Sequence, residues 1–298
     1  MFIVHHRKIF YILSSILVIT SITGLVLWGL RFSIEFKGGS LMELQFTDSR
    51  PSNQDINDSL GSLNLGEIVI QPTAEKNVIL RFKEADETLH QNVLTILKNH
   101  FNVEEITFTT VGPTISKELK TKAVIAVILA EAFMIVYLAW AFRKTSFIVK
   151  SYKYGILAAV SLLHDITIVT GLFAFLGHFM NVEIGLTFVA AILTILGYSV
   201  NDTIVVYDRI RESLLRLREK ETFEELVDKS LKQTLARSIN TTLTVLICIL
   251  AVLIFGGASI RYFMLALFVG VASGAYSSFL AAFLLLDWER AKTRTEKA

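Results

Sequence analysis

The stretch LGYSVNDTIVVYDRIRESL, residues 196–214, begins as the end of a long apolar run and finishes as a basic loop. Asn201 and Asp202 sit between the two, with apolar residues on both sides. An ionised carboxylate is costly to keep out of water, so one inside such a run is a functional signal by default. Residues 204–207 continue the run for another turn. At a helical rise of ~1.5 Å per residue, Asp202 then lies roughly 8 Å inside Tyr207.

That reading requires the run to be a membrane span, and the rest of the chain supplies the reason. Hydrophobic residues make up 53% of the 298, and the mean hydropathy is +0.55. Both exceed what a soluble domain of this length carries. The apolar residues are also gathered into six runs, at 9–30, 123–142, 154–179, 184–207, 238–260 and 262–286. Each approaches or exceeds the ~20 residues needed to cross ~30 Å of hydrocarbon. Glu131 interrupts the second run, His164, Asp165 and His178 the third, and Asp202 the fourth. The short segments expected on one side carry 18 Lys or Arg, and those on the other carry only Arg261. This asymmetry predicts that both termini are cytoplasmic. The first run is too long for a signal-peptide core and no small-residue cleavage pattern follows Leu30, so it reads as an uncleaved anchor.

The segment 31–122 alternates short apolar patterns and reads as folded. LMELQF at 41–46, EIVIQP at 67–72, NVILRF at 77–82 and VEEITFTTV at 103–111 have strand patterns. A weak helix is expected over 52–64, capped by Ser52 or Asn53. A second is expected over 85–101, from its apolar spacing. The order β-α-β-β-α-β predicts a ferredoxin-like domain. No phosphate loop, metal-ligand cluster or nucleophile triad is present in it, which favours a binding or docking module. The expected architecture is therefore an α-helical polytopic membrane protein. It divides into a tail and first span (1–30), a small extracytoplasmic α+β domain (31–122) and a five-helix membrane domain (123–298).

Four stretches together resemble the SecF branch of the SecD/SecF protein-export family, in the resistance-nodulation-division superfamily. They are LGYSVNDTIVVYDRIRE at 196–212, His164-Asp165, FSIEFKGGS at 32–40 and VGP at 111–113. Glu35 departs from the family, which more often has Asp there, but the charge is kept. The resemblance implies a six-span subunit that pairs with SecD and assists the SecYEG channel. It implies that the pair draws translocating preprotein across the bacterial or archaeal inner membrane with the proton-motive force, without covalent catalysis or a cofactor. H⁺ is the implied coupling ion and Na⁺ the alternative. The rival functions are a superfamily transporter of lipids or small molecules and a passive membrane scaffold.

The resemblance puts the family's proton-linked aspartate on Asp202 and its functional arginine on Arg237. From the residues alone, Arg237 reads as one more positive-inside charge. Asn201 is a candidate support for Asp202. Asp165 falls near the middle of its span, with His164 beside it as a relay partner or a plain hydrogen-bond partner. Glu131 faces a polar seam with SecD or is satisfied within the chain. Ala266, Gly270, Gly274, Ser278 and Ala282 repeat every four residues and predict a close helix–helix contact, read as packing within the subunit. The capping box Thr222/Glu225, followed by Phe223, Leu226, Leu231 and Leu235, predicts an amphipathic helix on the cytoplasmic surface, against membrane lipids or the translocon. Eight Lys or Arg against seven Asp or Glu in 207–237 argue against nucleic acid.

Overall fold

The computed structural model describes residues 3–73, 75–143, 149–216 and 222–295. Parts of two expected basic loops (144–148 and 217–221), and Ala74 of the expected turn at 73–77, lie outside the described residues. The chain divides into two compact units. One comprises Phe32–Val124 with Glu183–Leu186, and the other Met1–Arg31, Ile125–Val182 and Thr187–Ala298.

The first unit is a sheet with helices on one face. A short helix, α2 (Ile34–Lys37), leads into β1 (Gly39–Phe46), α3 (Asn53–Leu60), β2 (Val69–Pro72), β3 (Asn77–Phe82), α4 (Glu87–His100) and β4 (Val103–Val111). The strand order is β2-β3-β1-β4, with every pairing antiparallel. This is the ferredoxin-like arrangement that the element order predicts. Even-numbered residues of β1 and β3 point to the helices. Met42 pairs with Leu80 and Leu44 with Val78, and all four are buried beside Ile56, Leu60, Val93 and Leu97. Fully burying each such side chain contributes roughly 1.5–3 kcal/mol. Ser52 caps α3 in a reciprocal capping box with Asp55, and Asp86 accepts from Leu89 N–H to cap α4. The sequence analysis assigns no element to 32–38, because α2 is a single turn too short to show periodicity.

Gly39 is required where it stands. Its φ is +129°, and a Cβ there would lie 2.7 Å from the Phe82 carbonyl oxygen. Beside it, the Ser40 hydroxyl accepts from Ala85 N–H at 2.9 Å and donates to the Thr110 hydroxyl at 3.0 Å. Ser40→Ala orphans a buried amide, at a cost of about 1–3 kcal/mol. Hydrogen exchange at the Ala85 amide should accelerate markedly in that variant. Unchanged protection there would show that the hydroxyl is not the amide's anchor.

The second unit is helical. Its elements are α1 (Arg7–Trp28), the larger part of α5 (Pro113–Ala141), α6 (Ser151–Met180), α7 (Leu186–Leu215), α8 (Phe223–Phe255) and α9 (Ala258–Thr295). Among the described residues six helices are long and apolar enough to cross a bilayer, so this is a multi-pass membrane protein. About half or more of α6, α7 and α9 is buried, whereas α1, α5 and α8 turn most of their surface outward. The inner three therefore form the packed core. The outer three present side chains such as Ile16, Phe133, Val136 and Ile247, as lipid or another helical subunit would require.

Several helices run beyond their apolar stretches. Pro113 opens α5 ten residues ahead of the expected span, in the first helical turn, where proline's missing N–H costs nothing. A larger correction concerns the expected surface helix after Thr222. The capping box is present, but α8 is one continuous 33-residue helix into the fifth span. No Gly or Pro interrupts 223–255, so nothing ends the first segment. Its apolar face does not lie on lipid. Leu226, Val227 and Leu231 are buried against Tyr154, Val206, Tyr207, Ile210 and Leu286. Asp228, on the same segment, accepts from the backbone N–H groups of Ile3 and Val4 at 2.9 and 3.1 Å and so anchors the amino terminus.

Candidate functional site

Asp202 sits on the inward face of α7 and is only 3% exposed. Its carboxylate accepts from the Thr242 hydroxyl on α8 at 3.1 Å. Ser199, Thr203 and Val206 share that face and are also buried. Asn201, about 100° around the helix, is exposed. It does not support Asp202 directly.

The structure brings Arg237 near enough for its charge to act on Asp202, but not into contact with it. Among the described residues the two form no ion pair, and Arg237 is on the exposed side of α8. The reason is helical phase. Thr242 points at Asp202, and Arg237 precedes it by five residues, which places it about 140° around the helix and roughly 7.5 Å along it. Ser238, one turn before Thr242 on the inward face, is buried instead, and its hydroxyl has no partner among the described residues.

Asp165 is fully buried on α6 and heavily hydrogen-bonded. One carboxylate oxygen accepts from Ser273 Oγ at 2.6 Å and from His164 Nδ1 at 3.0 Å. The other accepts from Ser199 Oγ and Ser277 Oγ, both at 2.7 Å. The His164–Asp165 hydrogen bond serves either of the two roles that the sequence leaves open for His164. His164 also stacks on Tyr276, while its Nε2 is buried without a partner among the described residues. Three helices thus meet at one carboxylate. Four donors match the roughly four acceptor positions that a carboxylate offers.

Glu131 is half-buried on α5, with no hydrogen bond or ion pair among the described residues. The small-residue face of α9 packs inside the chain. Ala266, Gly270, Gly274, Ser278 and Ala282 are all buried. A Cβ at Gly270 would overlap the Ile195 side chain, and one at Gly274 would come within 2.8 Å of Ser199 Cβ. Among the described residues no group of three or more His, Cys, Asp or Glu is arranged to hold a metal.

The hydroxyl residues Ser199, Thr242, Ser273 and Ser277 are absent from the sequence-derived set. Their signal was available: Ser199 lies one turn before Asp202, and Ser273 and Ser277 are one turn apart in an uncharged span. The two carboxylates differ in what they can do. Asp165 is ringed by four polar partners, whereas among the described residues Asp202 accepts one hydrogen bond, from a second, mostly outward-facing helix.

Residues 92–291 match the family described as protein export membrane protein SecD/SecF, C-terminal, and residues 29–49 match the SecD/SecF GG motif. The protein translocase subunit SecF of Thermobaculum terrenum is 42% identical, over 96% of this chain and 93% of that protein. The protein translocase subunit SecDF of Bacillus subtilis is 36% identical, over 98% of this chain and 38% of that protein. The crystal structure of SecDF, a translocon-associated membrane protein from Thermus thermophilus, superposes with a TM-score of 0.85 at 29% identity. That match covers 97% of this chain and 39% of the SecDF chain.

Proposed function

The chain belongs to the SecD/SecF protein-export family and is a membrane subunit of the Sec machinery, and we propose that it uses the proton-motive force through Asp202. Burial of an ionisable carboxyl with free acceptor positions, hydrogen-bonded across to a neighbouring helix, is the observation that carries this reading. Proton uptake at Asp202 removes a buried charge, so it alters the balance of forces between α7 and α8. A change in that balance biases two arrangements of the helices, which is how proton flow performs work.

Arg237 has its role in the second arrangement. Arg stays charged throughout, so it compensates Asp202 only when the carboxyl is ionised. A rotation of α8 by about 140°, with the long Arg237 side chain reaching along the roughly 7.5 Å of rise, would exchange Thr242 for Arg237 at the carboxylate. The chemistry is proton transfer coupled to motion, with no covalent step on the preprotein.

The partner is a SecD subunit. In SecDF relatives the matching segment occupies under two fifths of a longer chain, and α1, α5 and α8 here offer apolar faces to a second helical half. The half-buried Glu131 on α5 suits such a contact. SecYEG and the emerging preprotein follow from the same family reading. The lipid-carrier alternative wants an apolar cavity in the domain of 31–122. The roughly 350 Å³ cavity of that unit has apolar lining from Phe32, Ile34, Val69 and Phe82, but five charged residues, among them Lys37, Arg81 and Glu183, also line it, which suits lipid tails poorly.

Orientation in the cytoplasmic membrane follows the charge asymmetry, with both termini inside and 31–122 outside. A cysteine in place of Ser52 should react with an impermeant thiol reagent added outside intact inner membrane, and one in place of Arg216 should not. Both positions are exposed. The reverse labelling would overturn the orientation and the direction of proton flow with it.

A further inference from the structure

We infer that Asp165 is a positioning residue for Asp202, acting through Ser199, and is not itself a proton carrier. The inference rests on Asp202 being the coupling carboxylate. A carrier needs an acceptor position for the incoming proton. While ionised, Asp165 holds four polar partners at 2.6–3.0 Å, which occupy the roughly four acceptor positions that exist, so proton uptake there requires one of the hydroxyls or the His164 ring to give up its bond. Asp202 accepts from Thr242 and keeps positions free.

The donors reach Asp165 from three directions. His164 belongs to the same helix, Ser199 comes from α7, and Ser273 and Ser277 come from α9. Ser199 is buried, and it precedes Asp202 by three residues on one face of α7. Three residues amount to about 60° of net rotation and ~4.5 Å of rise. Any roll of α7 that carries Ser199 away from Asp165 must therefore carry Asp202 away from Thr242. Two polar ties one turn apart hold this stretch of α7, one to α6 and α9 and the other to α8, with further ties nearer its end from Tyr207, Arg209 and Ser213. The first is built from a carboxylate that cannot move without orphaning three hydroxyls. The second engages the group that changes.

Close approach of α9 supports the same arrangement. Gly274 lies directly over Ser199, where a Cβ would come within 3.0 Å of its Oγ. His164 is held by its stack on Tyr276, whose hydroxyl in turn donates to the Phe10 carbonyl at 2.5 Å. The Asp165 side chain is thus fixed from α6, α7 and α9 together, as a reference point requires.

The test uses the full chain with its SecD partner in membrane vesicles, comparing wild type, Ser199→Ala, Asp165→Asn and the double variant. Two quantities are read: export driven by the proton-motive force, and modification of Asp202 by a hydrophobic carbodiimide, quantified by mass spectrometry. Ser199→Ala leaves the Asp165 carboxyl chemically intact but cuts its tie to α7. We expect it to lower export at least about tenfold, the equivalent of ~1.4 kcal/mol, and to change Asp202 modification several-fold, with SecD still bound. The double variant should be no worse than Asp165→Asn alone, as expected for residues acting through one contact. If Ser199→Ala exports and labels like wild type while Asp165→Asn is dead, Asp165 carries the proton itself and the positioning role is wrong. If Asp165→Asn does not assemble, the Ser199→Ala arm alone decides. If Asp202→Asn exports normally, the coupling role of Asp202 falls. The carbodiimide comparison still reports whether Ser199 sets the placement of that carboxyl.

Discussion

Asp202→Asn should abolish the part of preprotein export that depends on the proton-motive force, with folding and SecD binding intact. Asn has nearly the volume of Asp, and its carbonyl oxygen can accept the Thr242 hydroxyl that Asp202 accepts at 3.1 Å. No new cavity or orphaned hydroxyl is created, so the packing of α7 on α8 has no reason to fail. The amide cannot take up a proton, so the charge at that position never changes and the two helix arrangements are never biased. Asp202→Glu retains the titrating group but moves it about one methylene, and partial activity is expected. Arg237→Lys keeps the charge and loses the planar fork, which predicts a partial defect. The measurement is export into vesicles holding this chain with SecD, with and without an imposed proton gradient, alongside proton uptake. Normal gradient-driven export by Asp202→Asn would reduce the residue to a buried hydrogen-bond acceptor.

The passive-scaffold alternative predicts the opposite pattern. For a scaffold, Asp202→Asn would be neutral, and changes in packing would be the damaging ones. Asp202→Asn combined with an intact SecD contact therefore separates the two readings cleanly. A variant that both unfolds and fails to export would not.

The positions of the elements were legible wherever local pattern decides them. The strands at 77–82 and 103–111 fall on the residues expected, because both are short runs rich in β-branched and aromatic residues and Asp86 supplies a helix start between them. The burial of Asp202 followed from the apolar turn beyond it. The ends of the helices were less legible. Hydropathy marks the hydrocarbon-crossing part of a helix, and α7 continues to Leu215 with its inner face on protein. The same blindness split α8 into a surface helix and a span. The hydroxyls that tie Asp165 stand one turn apart in the sequence, but their pairing with it was hidden for a different reason. Its donors come from 34, 108 and 112 residues away, and hydroxyls hardly disturb a hydropathy profile. Arg237 shows the limit of a resemblance. It identifies a residue but not the helical phase that a given arrangement gives it.

Gly274→Val should cost the chain its folded state in mild detergent, whereas Gly197→Ala should not. Both glycines lie in membrane helices, so loss of backbone freedom does not distinguish them. Their surroundings do. A Cβ at Gly274 would lie 2.8 Å from Ser199 Cβ and 3.1 Å from its Cα. The obstructing atoms belong to the base of a side chain and to the backbone of a packed helix, which cannot swing aside. Relief requires α9 to move away from α7, and that motion pulls Ser273 and Ser277 off Asp165. Overpacking alone costs about 1–3 kcal/mol, and stripping donors from a buried carboxylate adds a penalty of similar or larger size. The sum is a large fraction of the ~5–15 kcal/mol that holds a typical domain together. At Gly197 nothing lies within 4 Å of the added Cβ, and the substitution gains up to ~1 kcal/mol of helix propensity. Monodisperse yield and thermal unfolding in detergent, measured with SecD present, distinguish the two. A well-folded Gly274→Val variant would mean that α9 does not approach α7 this closely, and the small-residue face would then belong to another partner.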